Sequence, residues 1–215
     1  MNISGYIDHT NLNRSATKEE IEKLCEEAKE YHFASVCVHP YYVSLCSKLL
    51  KDSDVAVCTV IGFPLGENTT EVKVFEAEDA INKGAVEIDM VINVSALKNE
   101  DYYYVEEEIR KIREVCNGIT LKVIIEECCL TEEEIVRITH ICNECGVDYI
   151  KTSTGFDKHG ATMEAVHIIK ANKKDNIGIK ASGGIRDYET AKKFIDAGAT
   201  RIGTSSGIKI MEGEE

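Results

Sequence analysis

The chain has 215 residues, 43% of them hydrophobic and 29% charged, with a formal net charge of −13 and a pI near 5.0. That is enough chain for one large core, and too acidic, with no visible basic face, for a nucleic-acid partner whose phosphates it would repel. The opening residues, Met1 to Tyr6, lack the basic and apolar segments of an export signal, and no apolar run approaches membrane-spanning length, so a cytoplasmic protein without membrane association is expected.

Short apolar runs alternate with charged, helix-patterned segments along the whole chain. The runs cover 6–9, 34–38, 55–61, 85–91, 121–126, 147–151, 177–180 and 200–204, and their β-branched content suits strands buried on both faces. Thr17 with Glu20 and Thr131 with Glu134 form capping boxes that start helices. Gly84, Gly146 and Gly198 stand just before strands, where helices end. No linker, low-complexity tract or charge block divides the sequence. Eight strand–helix repeats predict an α/β fold, a compact (β/α)8 TIM barrel occupying 1–215 as a single domain.

The nine cysteines have no framework spacing and read as reduced thiols. Cys142 and Cys145 match the C-x-x-C spacing of zinc and redox sites, but no second ligand pair accompanies them. They fall at the end of an amphipathic helix, where i and i+3 positions on a buried face hold small apolar side chains, and that reading is preferred. The adjacent Cys128 and Cys129 are a weaker metal or redox signal still.

Lys151 ends the run Val147-Asp148-Tyr149-Ile150-Lys151 and heads the loop Thr152-Ser153-Thr154-Gly155-Phe156. An ammonium at a buried strand end either pairs with a carboxylate or gives up its proton, and a neutral lysine forms Schiff bases with carbonyls. A structural ion pair is the plainer alternative. Barrel enzymes carry their chemistry at the C-terminal ends of strands. Strand alternation sends Lys180 away from Ile177 and Ile179 and into the barrel mouth, with Asp89, Glu87, Lys122 and Glu126 also facing inward. So many inward charges exceed what a barrel interior normally holds, although a pair such as Glu87 with Lys122 can be purely structural. The spacing puts Lys151 and Lys180 on neighbouring strands and Asp89 two strands away. Ala181-Ser182-Gly183-Gly184-Ile185-Arg186 and Gly203-Thr204-Ser205-Ser206-Gly207 then supply hydroxyls and backbone N–H groups after the seventh and eighth strands, the usual phosphate position of such barrels.

These segments resemble the deoxyribose-phosphate aldolase family, class I enzymes that cleave 2-deoxy-D-ribose 5-phosphate to acetaldehyde and D-glyceraldehyde 3-phosphate. The matching stretches are IDHT at 7–10, SVCV at 35–38, TVIGFPLG at 59–66, EIDMVIN at 87–93, KVIIE at 122–126, KTSTGF at 151–156, KASGGIR at 180–186 and GATRIGTSSG at 198–207. The resemblance implies that Lys151 is the Schiff-base lysine, that Lys180 holds it neutral, and that Asp89 is the acid and base working through a water. By the same resemblance Asp8, Cys37 and Lys122 line the substrate, and Gly155, Gly183, Gly184, Ser205 and Ser206 hold its phosphate. No cofactor and no metal are implied, and the assembly implied is a homodimer. The chain departs from the family pattern at Asn11-Leu12-Asn13-Arg14 and at His39, and its tail leaves room for only a short final helix. Two other readings share the phosphate loops: another phosphate-binding barrel, an isomerase or a transaldolase-like enzyme, which would not require both lysines, and a sugar-phosphate-binding barrel without chemistry.

Overall fold

In the computed structural model, which describes residues 2–213, eight strands run parallel and close into a barrel in chain order. They are β1 (Ile7–Asn11), β2 (Ser35–Val38), β3 (Ala56–Ile61), β4 (Glu87–Val91), β5 (Thr120–Ile124), β6 (Tyr149–Lys151), β7 (Gly178–Ser182) and β8 (Arg201–Thr204). The connecting helices are α1 (Lys18–Tyr31), α2 (Val43–Leu49), α3 (Thr70–Asn82), α4 (Val94–Lys98), α5 (Tyr102–Val115), α6 (Glu132–Cys145), α7 (Met163–Asn172), α8 (Tyr188–Ala197) and α9 (Gly207–Glu212). This is the (β/α)8 barrel that the repeat pattern predicts. None of these helices is long and apolar enough to cross a membrane.

Local signals start and stop the helices as expected. The Thr17 and Thr131 hydroxyls each accept a hydrogen bond from the amide three residues on, and the Thr17 and Thr131 amides donate in turn to the Glu20 and Glu134 carboxylates, at 2.7 Å in both cases. Gly146 ends α6 at φ 65°, a left-handed conformation that glycine adopts without strain. The strand ends differ from the apolar runs in two places that matter. β1 begins only after a 3-10 turn at Ser4–Tyr6 and extends to Asn11, and β5 stops at Ile124. Glu126 therefore lies beyond the strand in a left-handed conformation, φ 50°, and does not face the barrel interior with Lys122.

The helix-facing side of the wall is a continuous apolar layer that includes Ile88, Val123, Ile150, Ile179 and Ile202, each fully buried. One ion pair is set into that layer. Lys73 Nζ of α3 meets Glu108 Oε1 of α5 at 2.8 Å and donates to the Val91 carbonyl at 2.9 Å, and both side chains are wholly buried. Burial works against charge on both, lowering the Lys73 pKa and raising that of Glu108, and each partner's opposite charge works against that shift. Gly62 has to be glycine above this pair, because a Cβ there would lie 2.7 Å from Lys73 Cε. Glu108→Gln leaves Lys73 unpaired and is expected to destabilise the fold by about 3–5 kcal/mol, while Lys73→Met with Glu108→Leu recovers most of the loss. Urea melts of the three chains check this.

Cys142 and Cys145 are both buried on the inner face of α6, as the apolar reading expects. Burial pushes the Cys145 thiol up to about 11 and raises Cys142 further. Such thiols stay protonated at neutral pH.

Candidate active site

Parallel register aligns the inward side chains of neighbouring strands. Lys151 is paired with Lys180, Asp89 with Lys122, Thr10 with Cys37, and Cys37 with Cys58. Along the wall Asp89 is two strands from Lys151, yet the barrel is narrow enough for the side chains to meet across it. Lys151 Nζ donates to Asp89 Oδ2 at 2.8 Å and Lys180 Nζ donates to the same oxygen at 2.7 Å. Distance along the sheet is thus a poor guide here, and Asp89 is a direct partner of both lysines.

The second oxygen, Oδ1, accepts from Lys122 Nζ at 2.9 Å and from the Cys58 thiol at 3.2 Å. Burial raises the Asp89 pKa, but Lys122, Lys151 and Lys180 outweigh it and hold the carboxyl well below the usual range. A second tier sits beneath. Lys122 meets Glu87 at 2.5 Å, the pair expected from strand alternation, and Lys180 meets Asp8 Oδ2 at 2.5 Å. Arg201 closes the tier, with Nη1 at 2.6 Å from Asp8 and Nη2 at 3.2 Å from Glu87, its guanidinium lying over the Tyr149 ring. Burial lowers the Lys180 pKa, and the Asp8 and Asp89 carboxylates more than reverse that shift, so Lys180 is a fixed cation. Fully ionised, the group has four cations and three carboxylates, so release of a single proton balances it.

Above the cluster opens a cleft of about 1010 Å³ at the C-terminal ends of the strands. Lys151 lies at its floor with 4% of its side chain exposed, whereas Lys122, Lys180 and Asp89 have none. Asp8, Cys37 and Lys122 are likewise fully buried, and none of the three is among the residues lining the cleft. Beyond the lysine, Thr154 is anchored by Glu126, whose Oε1 accepts from the Thr154 amide at 3.1 Å and whose Oε2 accepts from its hydroxyl. That is the work of the misplaced glutamate: it shapes the loop leading to Gly155.

Four of the five residues expected at the phosphate, Gly155, Gly183, Gly184 and Ser205, line one end of this cleft. Ser206 stands behind them and gives its amide to Thr204 Oγ1 at 2.9 Å. Gly183 needs its missing side chain, since its φ is 86° and a Cβ would come within 2.7 Å of the Gly160 backbone. Arg186 and Arg14 also border the cleft. The two departures from the family pattern touch one another, His39 Nε2 donating to the Leu12 carbonyl at 3.0 Å. His39 also stands edge-on to Phe63, which stands edge-on to Phe156, and these three rings form an apolar rim.

A family model described as DeoC/LacD family aldolase matches residues 3–213. The chain belongs to this aldolase family. It is 57% identical over 214 residues to a deoxyribose-phosphate aldolase of Geobacillus sp. (strain WCH70), covering 99% of this chain and 96% of that protein. It is 55% identical to the deoxyribose-phosphate aldolase of Thermoanaerobacter sp. (strain X514), again over 99% of this chain and 96% of the relative. Among solved structures, a tetrameric deoxyribose phosphate aldolase from Aeropyrum pernix superposes with a TM-score of 0.91 at 34% identity, covering 98% of this chain and 89% of that one. The enzyme is accordingly an aldolase, a carbon–carbon lyase, and the resemblance read from its motifs holds along the described chain.

Several members of the site carry weak sequence signals. Arg201 belongs to an otherwise apolar strand and is paired in register with Lys180, so alternation from Lys180 could have flagged it. Cys58 could have been found the same way, one register step from Cys37. Lys73 and Glu108 face each other from two helices, and no local pattern links them.

Proposed function

We propose that this aldolase cleaves 2-deoxy-D-ribose 5-phosphate, reversibly, to acetaldehyde and D-glyceraldehyde 3-phosphate through a Schiff base on Lys151. The observation that carries the reading is the accessibility of a single lysine: of the three ammonium groups around Asp89, only that of Lys151 reaches the cleft. A carbonyl carbon in the cleft can meet that nitrogen and no other lysine of the cluster.

In the proposed cycle the neutral Lys151 amine adds to the C1 aldehyde of the open-chain sugar, and loss of water leaves an iminium. Removal of the C3 hydroxyl proton then breaks the C2–C3 bond, and its electron pair is taken up by the iminium as an enamine. D-glyceraldehyde 3-phosphate leaves, the enamine carbon takes a proton, and water releases acetaldehyde and restores the amine. Asp89 touches the nucleophile directly and is the group through which its protons are exchanged, with water as the carrier to substrate. Lys180 contributes fixed positive charge beside that exchange. An arginine at 180 is a poor test of charge alone, because a Cβ at Gly203 would already lie 3.0 Å from Lys180 Cε and the extra atoms have little room. Asp8, Glu87, Lys122 and Arg201 hold the three central groups in register.

The phosphate belongs, in this reading, at Gly155, Gly183, Gly184 and Ser205, with Ser206 supporting the loop and Arg186 adding charge. The pure enzyme is expected to release acetaldehyde from deoxyribose 5-phosphate. Ser205→Asp sets a carboxylate against the phosphate and should raise KM for that substrate at least about tenfold while barely changing KM for unphosphorylated deoxyribose. Equal losses on both sugars would assign Ser205 to loop structure, and an inert wild-type enzyme would favour an isomerase-type or non-catalytic barrel. The nine unbridged cysteines suit a reducing compartment, so the reading places the enzyme in the cytoplasm. It also includes a homodimer, which sedimentation distinguishes from the tetramer of the Aeropyrum pernix relative.

A further inference from the structure

Of the nine cysteines, Cys128 and Cys129 are the two that the fold leaves half-exposed. They occupy the 3-10 turn Glu127–Cys129 that follows β5, opposite Asp157 in the loop after β6. The two sulfurs and one Asp157 carboxylate oxygen all lie within 4.8 Å of one another, and Cys129 Sγ donates to Asp157 Oδ2 at 3.4 Å. Two thiols and a carboxylate at this spacing form a donor set suited to zinc and cations like it.

A second feature adjoins the first through Cys128. A recess of about 190 Å³ is lined by Cys128, Glu127 and His159 among others. Glu127 is only 5% exposed; its Oε2 accepts from Thr162 at 2.9 Å, while its Oε1 has no hydrogen-bond partner. A buried carboxylate oxygen without a donor marks the recess as a place for an incoming donor or cation. His159 Nδ1 donates to the Gly160 carbonyl at 2.9 Å, which leaves Nε2 as its basic nitrogen, the arrangement in which histidines ligate metals.

We propose that Cys128, Cys129 and Asp157 bind a divalent cation of the zinc class beside the loop that carries Gly155 and Phe156, with its fourth position left for water or for a ligand from the recess that Cys128 also lines. Binding forms two metal–thiolate bonds and one metal–carboxylate bond and releases the two thiol protons to solvent, with no change of oxidation state. The ion ties the turn after β5 to the 155–160 loop, which carries Gly155 and Phe156 to the cleft. It stands apart from the lysine–aspartate cluster and takes no part in the Schiff-base steps.

Cobalt(II) titration of the reduced, chelator-washed full-length chain tests the site. One equivalent should bind with thiolate-to-cobalt charge-transfer absorption, and zinc(II) should displace it. Cys128→Ser and Cys129→Ser should each abolish that absorption, and Asp157→Asn, at an exposed position that tolerates change, should weaken binding at least about tenfold. Cys142→Ser should leave it unchanged. Absence of the thiolate band overturns the proposal, as does a band that survives the double serine variant, which would assign the metal to the buried Cys37–Cys58–Asp89 group instead.

Discussion

Lys151→Ala should abolish cleavage, lowering kcat/KM by on the order of 10⁴-fold or more, while leaving the melting temperature close to that of the parent. The two halves of that expectation have different origins. Activity falls because no other amine of the cluster reaches the cleft. Stability holds because Asp89 keeps Lys122, Lys180 and Cys58 as donors. Steady-state kinetics and a thermal melt on the same preparation separate the effects; a large drop in melting temperature with residual turnover would make Lys151 a structural ion-pair partner.

Asp89→Asn is expected to damage both properties. The amide has the shape of the carboxylate but presents an NH2 group to ammonium donors, and it leaves the buried Lys122 and Lys180 ammonium groups with only Asp8 and Glu87 as carboxylate partners. Breaking a buried network in this way costs about 3–5 kcal/mol, and it also removes the proton partner of Lys151. The pH dependence carries a sign. Because the folded carboxyl lies well below its ordinary value, its stabilisation is fully present above the unfolded value of about 3.9 and is lost as the pH falls toward the folded one. The difference in stability between the parent and Asp89→Asn should therefore be flat from about pH 5 to 8 and shrink below about pH 4. A difference that changes between pH 6 and 8 would assign the titration to another group.

Much of this arrangement is written in local patterns. Capping boxes at Thr17 and Thr131 and the glycine that ends α6 need only neighbouring residues to act, and they act as their spacing predicts. Alternation along short strands brings Asp89, Lys122, Lys151 and Lys180 to one interior, since a parallel barrel leaves two faces and the isoleucines claim the outer one. What alternation cannot supply is where a strand ends. Glu126 was expected to face inward with Lys122, but the chain turns left-handed at Glu126 and the carboxylate caps Thr154. Nor does a linear pattern give distances across the barrel, which is why Asp89, two strands from Lys151, is its hydrogen-bond partner. The division between cleft-facing Lys151 and wholly buried Asp8, Cys37 and Lys122 is one of depth, and depth depends on how far each strand extends relative to its neighbours.

The central claim, that Lys151 alone forms the covalent intermediate, is tested most directly by trapping. The enzyme would be treated with acetaldehyde and sodium borohydride, digested, and its lysines mapped by mass. A single reduced adduct on Lys151, absent from Lys151→Ala, is the predicted result; an adduct on Lys180 or Lys122, or an unmodified Lys151 in enzyme that turns over, would contradict it.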